Sequence, residues 1–589
     1  MADLRDADEA YRKYEGAHRM NGREEKLVAD TLAEFSELQT WRNTFAAHWE
    51  ESAELVLPTS RNTFWYGNFN WPGIKKTDRQ IDATGMAALA RFAAILDSMM
   101  TPRNMIWQQV RSDDDYVMKD RETRLWFEQA TRLLFKYRYN PVSNFPSQNF
   151  NVYTSLGAFG TAGMYVEEYY GTHPRDRALR YTNIPLGELF IHQNFQGLID
   201  GFIRWYRLTG RQAAQKFGYD ALPDALKNAV DKNSEWPYNF LHRVYPQMDH
   251  DPQRIDARGK PFMSMHVCIE GRQLVAPEGG YRSLPIAISR YIQTPMEVYG
   301  RGPTQLVLPA LKTLNAEKRT FLKQGHRAAD PVLLLGDDGL MNMSLLPGAM
   351  NKGGMTADGK PLVGVLPTGN IQISKEMMQE ERQLINDTFL VSLFQILTET
   401  PTMSATEVIE RVNEKGILLA PTVGRQESEY LGPMTFRELD CLSHMGLLPP
   451  MPARLREAGG EYIAVSTSPL SRAMRAQEAA GFFRTVENVK ELVQITGDSS
   501  LLHPFNFKVA IPAIADIQMV PESWMSSPDE IAAKDKGLAD QKAKEMAIQA
   551  APAQAAMMKA NVAAQSAGVA QPQQGPPQVG MGPQGPGQQ

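Results

Sequence analysis

Two runs with helical periodicity and opposite charge constrain the fold of this chain more than any other feature. The first run extends from Thr304 to Arg327, just after the segment Gly300-Arg301-Gly302-Pro303, and the second begins at Ile373. Each run has one stripe of charged side chains: Lys312, Arg319 and Lys323 in the first, and Glu376, Glu380 and Asp387 in the second. Spacings of four and seven residues place these side chains on one face of a helix, because each residue advances by about 100°.

Apolar side chains form a second stripe on each run: Leu311, Leu314, Phe321 and Leu322 in the first, and Met377, Leu384, Ile385 and Phe389 in the second. Two such helices can pack on each other, or on copies of themselves in a ring. The alternative is that both charged stripes are ordinary solvated faces, since exposed charges contribute little to stability.

The composition predicts a large protein of two to four domains without a disulfide framework. The chain has 589 residues, of which 43% are hydrophobic and 22% charged, as is usual for globular proteins. The two cysteines, Cys268 and Cys441, are too few for disulfide scaffolding or a zinc ribbon. A net charge of −5 argues against a surface that wraps nucleic acid, but it allows a duplex to pass without being gripped.

The sequence shows no signal for export or for a membrane span. Residues 1–15 are mostly charged and polar, without the apolar core of a signal peptide. The chain also has no continuous apolar run of about 18 residues. We therefore expect an intracellular product that does not cross a membrane.

The periodicity predicts a helix-rich α+β fold. Strands are predicted at Thr161–Tyr170, Leu186–His192, Gly201–Leu208, Phe262–Glu270, Arg272–Ala276 and Ile286–Gln293. Between the two charged runs, short strands at Val332–Leu335, Met341–Leu345 and Leu362–Leu366 predict a small β-rich module held on a helical hairpin. Beyond Ala551, Gln, Ala, Gly and Pro dominate and predict a disordered tail.

A search for catalytic patterns gives no candidate site. The chain lacks the nucleotide-binding P-loop, and Gly300-x-Gly302 is followed by Pro303, which favours a tight turn leading into a helix. His266 and Cys268 alternate on one strand face and indicate a core pair, while Asp337-Asp338 beside glycine indicates a turn rather than a metal site. We therefore predict no catalytic residues, no cofactor and no metal.

Several segments, in one collinear order, resemble a known family. They are Arg42–Pro58, Asp82–Trp107, Gly157–Val166, Ile184–Glu188, Tyr299–Pro303, Leu308–Asn315, Ala329–Val332, Ser404–Val408 and Val465–Thr467. On these segments the chain resembles the head-to-tail connector, or portal, proteins of short-tailed bacteriophages. Gly432-Pro433 departs from a straight helix and predicts a break or kink in the long helix.

The resemblance implies an architecture with one function for each part. It implies a wing (1–299 and 404–450), a two-helix stem (300–329 and 373–393), a β-rich clip (330–372), a crown (451–550) and the tail (551–589). The channel loop is placed at 394–403, with Thr398, Glu399, Thr400, Pro401 and Thr402 at its centre.

The resemblance also implies partners and a location. It implies a ring of twelve copies at one capsid vertex of the virion, through which double-stranded DNA is packaged and ejected. Expected partners are the major capsid and scaffolding proteins, the large terminase subunit as a transient motor, tail adaptor proteins and the DNA. A non-enzymatic tail or baseplate protein without a channel is the alternative, and a two-metal nuclease is a third that lacks a convincing carboxylate set.

Overall fold

The chain divides into two compact units, Met1–Val520 and Pro521–Gln589. The computed structural model describes residues 22–65, 73–171, 173, 176–254, 256–335, 344, 346–352, 354–356, 358–367, 371–391, 421–467, 469–517, 520, 524–527, 530–545 and 557–559. In the second unit, residues 530–545 are helical.

Helices occur throughout the first unit. They are α1 (Gly22–Val56), α2 (Thr84–Met100), α3 (Asp115–Met118), α4 (Arg121–Arg138), α5 (Phe145–Phe159), α6 (Gly210–Phe217), α7 (Asp224–Asp231), α8 (Pro303–Leu306), α9 (Leu308–Ala329), α10 (Ile371–Thr388), α11 (Gly432–His444), α12 (Ala453–Glu457), α13 (Pro469–Thr496) and α14 (Phe507–Ile517). Short 3-10 turns lie at Pro58–Ser60, Leu186–Glu188, Ala257–Gly259 and Ser499–Leu502.

The strands form antiparallel sheets. They are β1 (Gln108–Arg111), β2 (Thr161–Tyr170), β3 (Arg177–Ile184), β4 (Leu189–Gln193), β5 (Ile199–Thr209), β6 (Pro237–Pro246), β7 (Phe262–Cys268), β8 (Gln273–Leu274), β9 (Gly279–Tyr281), β10 (Ile286–Arg290), β11 (Leu333–Leu335), β12 (Val363–Val365) and β13 (Ile463–Ser466). The largest sheet has the order β4-β5-β6-β7-β8, with β9 also on β7, and a second has the order β10-β2-β3. Two ribbons pair β1 with β13 and β11 with β12.

The largest sheet is covered by helices on both faces. On one face, Phe35 of α1 packs with Ile203 and Leu241 of the central strands. On the other face, Ala213 of α6 and Leu226 of α7 pack with strand residues that include Phe240. Burial on both faces fits these strands because their apolar side chains do not alternate strictly with polar ones.

Three glycines join the end of α5 to the start of α8. Gly160 has φ +75°, and a Cβ there would lie 2.3 Å from the carbonyl carbon of Arg301 and from the nitrogen of Gly302. A Cβ on Gly302 would lie 2.7 Å from the nitrogen of Gly160, and one on Gly300 would lie 2.6 Å from the oxygen of Gly160. Gly302 itself has φ −96°. The predicted lead into a helix is present. Gly300 and Gly302 are needed there for direct backbone contact, and Gly160 is the one of the three glycines with a left-handed φ.

Hydrogen bonds fix this contact. The N–H of Gly300 donates to Oγ1 of Thr161 at 2.8 Å, and Oγ1 of Thr304 donates to the carbonyl of Gly157, also at 2.8 Å. The N–H of Tyr291 donates to the carbonyl of Gly160 at 3.0 Å. The start of the first charged run is therefore bound directly to α5 and β2. We call these contacts the glycine crossing.

The helix that contains Gly432-Pro433 is not broken there. Residues 421–426 are α-helical and pass through a π-helical turn, Glu427–Leu431, into α11. The N–H of Gly432 donates to the carbonyl of Glu427, five residues back. The wider turn accommodates Pro433, which has no N–H and would clash with a carbonyl four residues back.

Buried side chains anchor both flanks of this π turn. Nε2 of Gln426 donates to the carbonyl of Arg290 at 3.0 Å, and the hydroxyl of Tyr430 donates to Oδ1 of Asn149 at 2.7 Å. Glu429 forms an ion pair with Arg290 at 2.9 Å. The extra residue of the turn lets all three side chains reach their partners together.

Most of the predicted helices and strands are present, each as the type of element that was predicted. Thr209 caps α6 in a full capping box, and the strand predicted at Thr161–Tyr170 is β2. The run from Thr304 to Arg327 is divided at Val307 into α8 and α9, and the strand predicted at Leu186–His192 begins as a 3-10 turn. Several elements had no prediction, among them α5, α7, α14, β3 and β6.

Other predicted features lie outside the described residues. They are Asp337-Asp338, most of the strand at Met341–Leu345, the channel loop at Thr398–Thr402, the helix start at Ser404, and nearly all of the tail beyond Ala551. None of the described helices combines the length and the apolar character that crossing a membrane requires.

The glycine crossing generates a prediction about stability. Replacing Gly302 with Ala forces a Cβ into backbone atoms that cannot yield, so we expect a loss of about 1–3 kcal/mol in the free energy of unfolding. The matched control is Gly325→Ala inside α9, where a Cβ would meet nothing within 4 Å. That change should stabilise by about 0.5–1 kcal/mol because alanine favours helix. Denaturant unfolding measures both, and equal stability of Gly302→Ala and the parent would contradict the packing argument.

Two histidines make the large sheet sensitive to acid. The rings of His242 and His266 stack with centroids 4.1 Å apart, and they hydrogen-bond to Ser264 at 3.0 Å and Tyr206 at 3.1 Å. Burial, then nearby positive charge, lowers the pKa of His266 to about 3 and holds the pKa of His242 well below its ordinary value. The neighbouring charges that contribute are those of Lys216 and Arg204.

A pH-dependent loss of stability follows. The unfolded chain binds protons at these histidines near pH 6.5 while the folded chain does not, so stability falls as the pH drops below about 6.5. At pH 5 the expected loss is about 2 kcal/mol for each histidine. Unfolding curves at pH 7 and pH 5 test this, with His242→Gln/His266→Gln as the comparison. If the double variant loses as much stability as the parent between these pH values, the histidines are not responsible.

Candidate assembly surface of the helical pair

The two charged runs fold as α9 and α10, which pack against each other; we call them the helical pair. Oγ of Ser374 on α10 donates to Oε1 of Gln324 on α9 at 3.3 Å. Leu311 and Leu314 of α9, and Met378 and Ile385 of α10, are buried. The apolar sides of the two helices are therefore shielded from solvent.

Both helices are anchored to α2 and to the residues just before it. On α9, Oδ1 of Asn315 accepts the N–H of Ile81 at 2.8 Å. On α10, Arg382 forms an ion pair with Asp82 at 2.9 Å, and Phe389 contacts Phe92 at 6.1 Å between ring centroids. Burial alone would raise the pKa of Asp82, but hydrogen bonds from Thr84 and the charge of Arg382 hold that pKa below its ordinary value.

Two carboxylates face each other inside the pair. Glu317 of α9 lies close enough to Glu381 of α10 for their charges to interact. Desolvation, and then the Glu381 charge, raises the pKa of Glu317. Like charges at this position limit how tightly the helices close, so the inner contact relies on the apolar side chains.

All six residues of the charged stripes are exposed: Lys312, Arg319, Lys323, Glu376, Glu380 and Asp387. On α9, Phe321 is two residues from both Arg319 and Lys323, which places it about 200° around the helix from them. On α10, buried Met378 is likewise two residues from both Glu376 and Glu380. The basic face and the acidic face thus lie on the outer sides of the pair, one on each helix.

The two stripes do not meet within one chain. Among the described residues, the ion pair that involves the basic stripe joins Lys312 to Glu51 of α1 at 2.8 Å. Nε2 of Gln372 donates to Oε1 of Glu376 at 3.0 Å within α10. A contact between the stripes therefore requires a second copy.

In the second run, the apolar stripe was predicted to include Met377, but the buried side chain is that of its neighbour Met378. Ile385 and Phe389 are buried as expected, but Met377 and Leu384 are half exposed and Met378 is buried in their place. The prediction is wrong for these positions because α10 packs on α9 and α2 along a narrower face. Together with Ile373, the exposed side chains form an apolar strip beside the acidic face.

His266 and Cys268, two other residues considered from the sequence, lie on strand β7 of the largest sheet. The ring of His266 hydrogen-bonds to Tyr206, and Sγ of Cys268 lies 3.8 Å from Glu270. Burial raises the pKa of the Cys268 thiol, which leaves it unreactive. Among the residues with described positions, no cluster of three or more His, Cys, Asp or Glu side chains could hold a metal ion.

The family model of the bacteriophage head to tail connecting proteins matches residues 29–525. The chain belongs to this family, which confirms the resemblance that the collinear segments indicated.

Two curated relatives are similar over most of their length. The probable portal protein of Bordetella phage BPP-1 is 25% identical over 536 residues, covering 88% of this chain and 92% of that protein. The portal protein of Salmonella phage epsilon15 is 26% identical over 560 residues, covering 91% and 94%.

Solved structures are more distant. A chain in the virion of a native gene transfer agent particle aligns with a TM-score of 0.33 and 12% identity, covering 68% of this chain and 85% of that one. A chain in the neck of an empty gene transfer agent particle aligns with a TM-score of 0.35 and 12% identity, covering 76% and 94%.

Proposed function

We propose that this chain is the subunit of a phage portal: a ring at one capsid vertex through which double-stranded DNA enters and leaves the head. Family membership and the two relatives named portal proteins support the proposal. The observation in the chain itself that carries it is the polarity of the helical pair, basic on one outer side and acidic on the other.

This polarity favours a closed ring over a two-fold dimer. In a two-fold dimer, each face would meet its own copy, so like charges would be opposed. In a head-to-tail arrangement, the α9 face of one copy meets the α10 face of the next, and rotation closes the ring. One exposed ion pair contributes only about 0–1 kcal/mol, but the contact is repeated in every copy. The apolar strip on α10 adds area that a neighbour would remove from water.

The predicted division of the chain fits this ring and stays part of the proposal. The helical pair would be the stem, the β11–β12 ribbon the clip that meets motor and tail, and residues 451–550 the crown inside the head. Twelve copies, contacts with capsid and scaffolding proteins, and successive contacts with a packaging ATPase and tail adaptors belong to the same proposal. The net charge of −5 per chain limits adhesion of a passing duplex.

Imaging of the purified protein tests the ring and the charged faces together. We expect closed rings with a central channel, and twelve-fold class averages by negative-stain electron microscopy. Replacing Glu376, Glu380 and Asp387 with Lys should impair ring formation at low salt, because the basic face would then meet a basic neighbour.

The control for that variant is a full exchange of charge. Adding Lys312→Glu, Arg319→Glu and Lys323→Glu to the same chain restores opposite signs and should restore rings. Normal rings from the acidic-to-basic triple variant would mean that the stripes are solvated faces. Filaments, trimers or monomers from the unaltered protein would remove the portal proposal and favour the tail or baseplate alternative.

The channel loop leads to a separate expected outcome. Thr398 to Thr402 carry small hydroxyls and one carboxylate, Glu399, so contact with DNA should be steric and independent of sequence. Deleting these residues should leave ring assembly intact while DNA packaging or retention falls. The measurements are ring imaging and the DNA content of assembled heads. A deletion that packages and keeps DNA normally would remove the loop assignment without affecting the ring.

A further inference from the structure

The β11–β12 ribbon presents an open apolar face. Val332 and Leu366 are hydrogen-bonded partners, with the N–H of Leu366 donating to the carbonyl of Val332 at 3.0 Å, and Leu334 pairs with Gly364. Side chains alternate along strands, so Val332, Leu334, Leu362 and Leu366 share one side of the ribbon. They are 52%, 48%, 47% and 43% exposed. We call these four residues the hairpin face.

A closed loop between β11 and β12 in the chain presents two more apolar side chains. Asn351 closes the loop, because its Oδ1 accepts the N–H of Ser344 at 2.8 Å and its Nδ2 donates to the carbonyl of Ser344 at 3.0 Å. A turn at Gly348, with φ +81°, lies within it. At its tip Leu346 is 74% exposed and Met350 is 94% exposed. We call Ser344 with residues 346–351 the clip loop.

Within one chain, the hairpin face and the clip loop both leave apolar side chains uncovered. A two-stranded ribbon is at best marginally stable alone, and strands that are apolar on both sides are typical of sheets covered on both faces. The exposure of Met350 and of Leu334 shows that the clip loop does not cover the hairpin face of its own chain. Held in shape by Asn351, the loop would lose little conformational freedom on docking.

We propose that the clip loop of one copy packs on the hairpin face of the next copy in the ring. The inference rests on the proposed ring. The neighbouring copy is the occupant because β11 follows α9 and β12 precedes α10, which places the ribbon at the end of the helical pair whose outer faces are proposed to meet neighbours. Each copy has one clip loop and one hairpin face, and head-to-tail closure leaves neither exposed.

Cysteine cross-linking tests the contact in assembled rings. The native Cys268 and Cys441 are buried and do not compete. Chains with Met350→Cys and chains with Leu334→Cys are coexpressed, rings are isolated and imaged, and mild oxidation is followed by non-reducing electrophoresis. Disulfide geometry tolerates only close approach, so cross-linked dimers should form in the mixture and be absent from either variant alone. The control mixture pairs Met350→Cys with Leu198→Cys, an exposed residue on the β4–β5 turn.

Each outcome decides the proposal. Imaged rings without mixed dimers overturn it, as do dimers of Met350→Cys alone or equal dimer yields in the Leu198 control. Failure of the unaltered protein to form rings would instead count against the proposed function, because imaging precedes oxidation.

A second variant measures the contribution of the contact to the ring. Leu346→Ser/Met350→Ser should lower the salt concentration or temperature at which rings dissociate, while the circular dichroism of the dissociated subunit stays unchanged. In rings, a single Met350→Cys should react with a maleimide at least tenfold more slowly than in the dissociated subunit. Rapid labelling in intact rings would place the clip loop in solvent or against a different protein, and would overturn the proposal.

Discussion

The glycine crossing is the contact on which the rest of the fold depends. At this point β2 leaves α5, β10 passes beside them, and the chain enters α8 on its way to the helical pair. A single side-chain carbon on Gly160 or Gly302 would displace backbone, so the direction of the helical pair is set by main-chain geometry. Main-chain atoms can shift less easily than side chains can. Contacts between main-chain atoms therefore fix the direction of the helical pair more strictly than side-chain packing does.

A second fixed point is a buried ion pair. Arg138 and Glu438 are fully buried and form an ion pair, with the hydroxyl of Tyr181 also donating to Glu438. Burial opposes the charge on Arg138, but the Glu438 carboxylate raises the pKa of Arg138 and keeps it protonated. Removing one partner from such a pair leaves an uncompensated charge and typically costs about 3–5 kcal/mol. The network joins α4, β3 and α11, and thus fixes the long helix against the sheet.

The sequence predicted the helical pair well because long amphipathic repeats determine their own period. It failed for α5, whose Asn149 and Tyr153 are buried by tertiary contacts that local composition does not reveal. The π turn could not be predicted either, since Gly432-Pro433 indicates an interruption but not that the helix widens to pass it. For the charged stripes, the spacing predicted two faces, yet only the packing of α9 on α10 shows that the faces lie on opposite sides of one chain.

The π turn also has a consequence for how the long helix can vary. Its flanks are tied to different parts of the core, Gln426 to β10 and Tyr430 to α5. A regular α-helical register between them would turn Gln426 by about 100° and advance it by about 1.5 Å, away from β10. Replacing Pro433 alone would leave both ties in place. The number of residues in the turn therefore sets the rotation of the helix about its axis. A single insertion or deletion in this turn would turn the helical residues before it, including Gln426, away from their present direction.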